Sequence, residues 1–296
     1  MTIKYLVLSG GGHSGCTTYG ALKYLADKQF WNIQNIEAIY GTSIGSIIGV
    51  ILILNYEWEF LDNYIIKRPW KKLINIEPEN LFNIYNEKGF LDINIVAETI
   101  IPLLEAKGFS KNVTLKEFNA KTNIDLHVFA CDMNQSNSVT PVNISHKTFP
   151  DMPLIKAVMA SSAIPFILTP VFEKEYCLID GGILYNYPLD FCLEETKCKP
   201  TEIMAIKNLW EPAKNIITPE TTIVDYTLLF IRKLHSIIEK THSQTDVPYC
   251  IDCYIDNSIN NTNTYISFIY DESVRKMLID NGIKLAKEFY ESIEKS

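Results

Sequence analysis

Twice near its start the chain passes from an apolar stretch through a glycine-bearing turn into a helical pattern. Ile3 to Leu8 reads as a buried strand; Ser9-Gly10-Gly11-Gly12 follows, then helical spacing to about Asp27. Ile36 to Tyr40 is a second short strand that ends at Gly41-Thr42-Ser43-Ile44-Gly45. The run from Ile44 to about Asn55 is apolar all round, which predicts a central helix. Strand, turn and helix in immediate repetition is the rhythm of a parallel α/β sheet.

From Tyr56 to Lys121 the rhythm changes. Helical pieces at Ile93 to Leu104 and Leu115 to Ala120 are separated by Pro69, Pro78, Gly89 and Gly108, and no strand pattern recurs. A helical cap inserted over one edge of the sheet is expected here. Ile124 to Cys131 returns to strand periodicity, with Ser138 to Val142 able to pair with it. Leu154 to Ala160 is helical, and Tyr176 to Ile179 is a strand leading into Asp180. Glu202 to Ile206 reads as a further strand. Helices from about Thr222 to Lys240 and Asp271 to Ile293 are expected to cover the sheet faces. The expectation is a single domain over 1–296, its core roughly 3–209, with 210–296 packed on it.

Composition narrows the function classes. A formal charge of -8 at pH 7 over 296 residues argues against a nucleic-acid partner, because phosphate binding needs a basic surface. The cysteines number 7, an odd count, and sit mostly in apolar runs, which fits a reducing compartment better than a disulfide framework. Met1 to Leu8 lacks the charged start and longer apolar stretch of a signal peptide, and Ile44 to Leu54 is too short to cross a bilayer. A cytoplasmic protein, at most peripheral at membranes, is the expectation.

Three segments carry chemistry. The glycine turn after the first strand can converge backbone amides near a helix N-terminus, where they would stabilise an oxyanion. Ser43 lies in a G-x-S-x-G turn between a strand and an apolar helix, a sharp turn that exposes a hydroxyl. A serine hydroxyl is a poor nucleophile without a base, and Asp180, ending an apolar strand before Gly181-Gly182, is the candidate. Ser43 with Asp180 would be a dyad without histidine.

Competing readings exist for each part. Gly10-x-Gly12-x-x-Gly15 also fits a dinucleotide fingerprint, but the acidic residue Glu37 begins the next strand instead of ending it. His235 and His242 follow Asp180 in the order of a Ser, Asp, His triad, yet both lie in or just after one helix and are expected at the surface. His13 sits in the glycine turn itself and is placed as an accessory residue, not as the base.

These segments resemble the patatin-like phospholipase family. Its marks are a G-G-G-x-R/K-G loop, a G-x-S-x-G serine and a D-G-A/G aspartate. The similarity extends through Ala160-Ser161-Ser162-Ala163-Ile164-Pro165 and Pro188, so it covers roughly Ile3 to Pro188. The resemblance implies a three-layer α/β sandwich and a lipid acyl hydrolase of phospholipase A type, with substrate met at a membrane or micelle surface. It implies Ser43 as nucleophile, Asp180 as base, Gly10, Gly11, Gly12 and Gly15 framing the oxyanion loop, and no cofactor or metal. Ser14 departs from the pattern, which has a basic residue there. That departure motivates a second reading, a lipid-binding or regulatory protein of the same fold with weak or lost turnover. It also leaves neutral glycerides and thioesters open as substrates, and acceptors other than water would make the enzyme a transacylase using the same residues.

Two weaker signals remain. Cys250-Ile251-Asp252-Cys253 lies in an alternating run that points the two thiols to opposite faces, against a zinc or redox pair. Lys67-Arg68-Pro69-Trp70-Lys71-Lys72 is a basic aromatic cluster, expected as a solvated charge run with Trp70 packed inward.

Overall fold

Two strands buried along their whole length, β1 (Tyr5–Leu8) and β2 (Ala38–Thr42), form the centre of the sheet. They are parallel, with Tyr5 opposite Ala38 and Leu8 opposite Gly41; helix α1 (Gly15–Asp27) carries the chain back between them. The computed structural model describes residues 2–73, 86–135, 137–210, 217–241, 245–255 and 267–295. Within these, β4 (Asp125–Asp132) joins β2 in parallel, β9 (Ile203–Trp210) joins β1, and β10 (Cys250–Ile255) joins β9. Three further strands run antiparallel: β5 (Thr140–Ile144) and β8 (Tyr176–Asp180) against β4, and β7 (Val171–Glu173) against β8. The resulting sheet has the order β10-β9-β1-β2-β4-β8-β7, with β5 also on β4.

Successive side chains of the central strands enter different cores, because a strand alternates its faces. Leu6, Leu8, Ile39, Met204 and Ile206 pack into the larger core. Tyr5, Val7, Ala38, Tyr40, Ile203 and Ala205 pack into the smaller one with Leu189 and Cys192 of α7 (Leu189–Thr196). Helices therefore cover both faces, and the protein is a three-layer α/β sandwich. Helix α2 (Ile44–Ile53) is buried nearly all round, as its apolar pattern requires. Helix α9 (Glu272–Glu294) packs on the same face and is tied down by the buried Arg275, whose Nε donates to Ile66 O at 2.9 Å.

Several elements differ from expectation. β2 continues through Gly41 and Thr42, which stay in register with Val128 and Phe129; the apolar pattern stops earlier because these two residues have no large side chain to reveal it. The segment expected to be purely helical has α3 (Trp58–Lys67), α4 (Asn94–Ala106) and α5 (Leu115–Thr122), but also a strand β3 (Gly89–Leu91). That strand pairs with β6 (Phe166–Leu168) in a separate two-stranded sheet. Three residues are too few to show an alternation. Ile100, Leu103, Leu104 and Phe118 of this segment bury into the larger core beside the sheet. Pro78 lies outside the described residues.

Helix α8 (Ile223–Thr241) is the clearest correction. The helix expected over about Thr222 to Lys240 as sheet cover has Leu229 buried, but its Tyr226, Phe230, Leu234 and Ile237 are exposed. Trp70 folds inward, its Nε1 donating to Ile65 O at 2.8 Å. Cys253 is buried in the larger core while Cys250 packs against the smaller one, so the two thiols do face opposite ways.

Candidate active site

The register of β4 brings the two principal residues together. Phe129 pairs with Thr42, the residue before Ser43, and the next residue, Ala130, pairs with Asp180. Two segments 137 positions apart in sequence thus end against adjacent residues of one strand, and Ser43 Oγ donates to Asp180 Oδ2 at 2.7 Å. No imidazole stands between them.

Ser43 occupies φ +53° and ψ -123°, a backbone region that non-glycine residues rarely adopt. Such a conformation costs about 1–3 kcal/mol and persists only when its surroundings enforce it. Here the Ser43 amide donates to Ser161 Oγ at 2.8 Å, and Ser46 Oγ donates to Ser43 O at 2.6 Å. Gly45 is required by close packing: a Cβ there would lie 2.3 Å from Leu8 O. The first turn of α2 therefore sits directly against the end of β1, with the positive end of its dipole behind the serine.

Asp180 is buried, and loss of solvation pushes its carboxyl up to about 6, despite opposing hydrogen bonds from Ser43 and from the Gly182 amide. The Gly182 amide donates to Oδ1 at 2.7 Å and fixes the carboxylate plane, leaving Oδ2 for the serine. The carboxylate is thus both oriented and destabilised when charged, as a proton acceptor requires.

Of the glycine turn, Gly11 and Gly12 border the cavity with Ser43 and Asp180. Gly12 has φ +59°, which favours glycine. The Gly10 amide is already donated to Asn186 O at 3.1 Å, and the Gly15 amide is donated back to Gly12 O. Those two residues shape the turn, and their amides are not left over for a ligand. Ser14 is buried and its hydroxyl donates to Gly11 O at 2.9 Å, so it braces the turn internally. His13 is buried beside Phe268, 6.5 Å between ring centroids, and is not among the residues bordering the cavity. Burial, and then the charge of Arg232, push its imidazole down to about 4.

Several bordering residues were not singled out from sequence. Asn186 clamps Gly10 from both sides, its backbone oxygen accepting the Gly10 amide and its side chain donating to Gly10 O at 3.4 Å. Leu228, Ile231, Arg232 and His235 reach the cavity from α8. His235, expected at the surface, is buried; His242 lies outside the described residues. Helical spacing alone brings 228, 231, 232 and 235 to one face, a signal that was available but whose destination was not. A second cavity of about 390 Å³ adjoins the first and shares Asn186 and His235 with it.

A three-layer sandwich with a strand-to-helix serine elbow facing an aspartate and a glycine turn defines the patatin class of α/β proteins. Residues 6–193 match the family model described as patatin-like phospholipase, and the chain belongs to that family. Membership places it among lipid hydrolases. Among its relatives is a probable lipid hydrolase, 463L of Invertebrate iridescent virus 6, 29% identical over 72% of this chain and 73% of that protein. Another is the uncharacterized protein R571 of Acanthamoeba polyphaga mimivirus, 29% identical over 63% of this chain and 60% of that one. Among solved structures, VipD from Legionella pneumophila shares the fold with a TM-score of 0.55 at 16% identity, over 99% of this chain and 67% of that one.

Proposed function

We propose that the protein is a phospholipase A-type acyl hydrolase that cleaves fatty acyl esters of glycerophospholipids through an acyl-Ser43 intermediate. The observation that carries this reading is the 2.7 Å hydrogen bond from Ser43 Oγ to a buried carboxylate with no histidine between. In the first half-reaction Ser43 Oγ attacks the ester carbonyl carbon as its proton passes to Asp180. The oxyanion that develops lies against the Gly11 and Gly12 amides and the N-terminal end of α2. One preorganised donor of this kind lowers a barrier by roughly 3 kcal/mol. Collapse breaks the ester C–O bond, and Asp180 returns the proton to the leaving alcohol.

In the second half-reaction a water gives its proton to Asp180 and attacks the acyl carbon. Fatty acid leaves, and Ser43 Oγ recovers its proton. The buried Asp180, near 6, is mostly ionised at neutral pH yet basic enough to accept a proton from a hydroxyl under attack. Arg232 supplies, from α8, a cation beside the cavity that the glycine turn lacks at Ser14; we assign it to the phosphate of the substrate. A fluorophosphonate probe tests the core of the reading. The wild-type protein is expected to label and Ser43→Ala not to, and an unlabelled wild type would remove the enzyme reading.

A further inference from the structure

Helix α8 has two faces with opposite surroundings. On the inner one, Leu228, Ile231, Arg232 and His235 close the catalytic cavity. On the outer one, Ile223, Tyr226, Phe230, Leu234 and Ile237 recur at spacings of three and four residues, a single line along the helix. These five remain 40–68% exposed. Scattered apolar residues on a surface need no explanation, whereas a continuous stripe marks a contact site. Charge does not interrupt it: the Asp225 carboxylate accepts from the Thr222 hydroxyl at 2.7 Å at the helix start, and exposed Lys233 flanks Leu234.

The cavity beneath α8 measures about 80 Å³. Pockets that enclose drug-sized ligands span roughly 300–1,000 Å³. The cavity at Ser43 is therefore too small for a fatty acyl chain as it stands, and movement of α8 would enlarge it, so a contact on the outer stripe can control the site.

We propose that α8 is the docking surface for a lipid aggregate: its stripe inserts at the boundary between head groups and acyl chains, and the same contact shifts Leu228 and Ile231 away from Ser43 while Arg232 stays at the cavity rim for the phosphate. The proposal rests on the lipid-hydrolase reading above and adds how the site is reached. A lipid surface is favoured because the stripe backs onto the cavity that must receive a lipid, and such substrates reside in aggregates. With a formal charge of -8 over the whole chain, apolar insertion drives docking, and attraction to anionic head groups contributes little. The matching surface is zwitterionic or neutral.

The test uses the full chain and phosphatidylcholine vesicles. Flotation of Ser43→Ala measures docking without turnover. Adding Phe230→Ser and Ile237→Ser is expected to lower vesicle partition about tenfold or more, while raised salt leaves the parent partition nearly unchanged. In a background that keeps Ser43, the same pair is expected to lose hydrolysis of vesicles but retain that of a soluble short-chain ester. Equal flotation of the two proteins overturns the proposal, as does docking that collapses in salt. Sedimentation showing a dimer that the pair of substitutions splits, without vesicle binding, overturns it in favour of a second copy as occupant. Should the serine variants not fold, Phe230→Trp provides the reading: its added emission is expected to shift to the blue with vesicles, and an unshifted spectrum sinks the idea. A wild type that floats but hydrolyses neither substrate would refute the hydrolase reading alone and leave the docking surface standing.

Discussion

Ser161 holds Ser43 in its unusual backbone conformation. Its Oγ accepts the Ser43 amide at 2.8 Å and donates its own proton to Phe129 O at 2.5 Å, so the elbow hangs from β4 through one buried hydroxyl on α6 (Leu154–Ser162). The same strand, one residue further on, pairs with Asp180. Nucleophile and base are therefore positioned from a common reference.

Ser161→Ala removes the acceptor of one buried amide and the donor to one buried carbonyl. A stability loss of about 1–3 kcal/mol is expected, the usual cost of leaving buried polar groups unpaired. If Ser161 also positions the nucleophile, kcat on a soluble ester falls about tenfold while KM stays within about twofold. Denaturant melts and steady-state kinetics on the folded fraction check this, and a kcat equal to wild type would reduce Ser161 to a structural residue.

The positive φ of Ser43 separates two inactive variants. Ser43→Ala and Ser43→Gly are both expected to lose about 10⁴-fold or more in activity. Glycine adopts this region freely, so Ser43→Gly should be more stable than Ser43→Ala by about 1 kcal/mol. Thermal melts of the pair decide; coincident midpoints would show that the elbow is not strained.

Asp180 ties activity and stability to pH with opposite signs. As a base it must be ionised, so kcat/KM is expected to rise with pH and level off above about 6. Between the ordinary carboxylate value and 6 the folded protein holds a proton that the unfolded chain releases, so stability falls as pH rises through that window. Holding a carboxyl at about 6 instead of its ordinary 3.8 costs the folded state roughly 3 kcal/mol once the group is ionised. Asp180→Asn should abolish hydrolysis and be more stable than wild type at pH 7 by about 1–3 kcal/mol, an advantage that vanishes near pH 4. A stability gain that does not depend on pH would show the burial cost to be misassigned.

Arg232 faces the cavity from α8, and its proposed partner is the substrate phosphate. Arg232→Gln is expected to lower kcat/KM about tenfold on a glycerophospholipid, in line with the loss of one charge-assisted hydrogen bond. Hydrolysis of a neutral glyceride should change by less than about threefold. Comparison of the two substrates in mixed micelles tests the assignment; equal losses on both would mean that Arg232 supports the helix instead of reading the head group.

Much of the site was legible because its parts are local. A strand that stops at Gly10-Gly11-Gly12, a serine between Gly41 and Gly45, and an aspartate before Gly181-Gly182 each require a turn that only a few residue types allow. The parallel sheet could be read for a similar reason, since strands alternating with helices leave few other arrangements. Pairing was less visible. β3 and β6 are three residues each and show no period, and Thr42 joins β2 through backbone hydrogen bonds that its side chain does not announce.

The division falls between what a residue can do and what it meets. Sequence by itself determined the turns, the alternation of the buried strands and the presence of a hydroxyl, a carboxylate and a glycine turn suited to one another. Only the tertiary structure decided that adjacent residues of β4 would seat Thr42 and Asp180, that the Gly10 and Gly15 amides would already be bonded, and that α8 would turn Arg232 and His235 inward with its apolar stripe outward. A periodic pattern states which side chains share a face; which surface that face packs against depends on contacts between segments far apart in the chain.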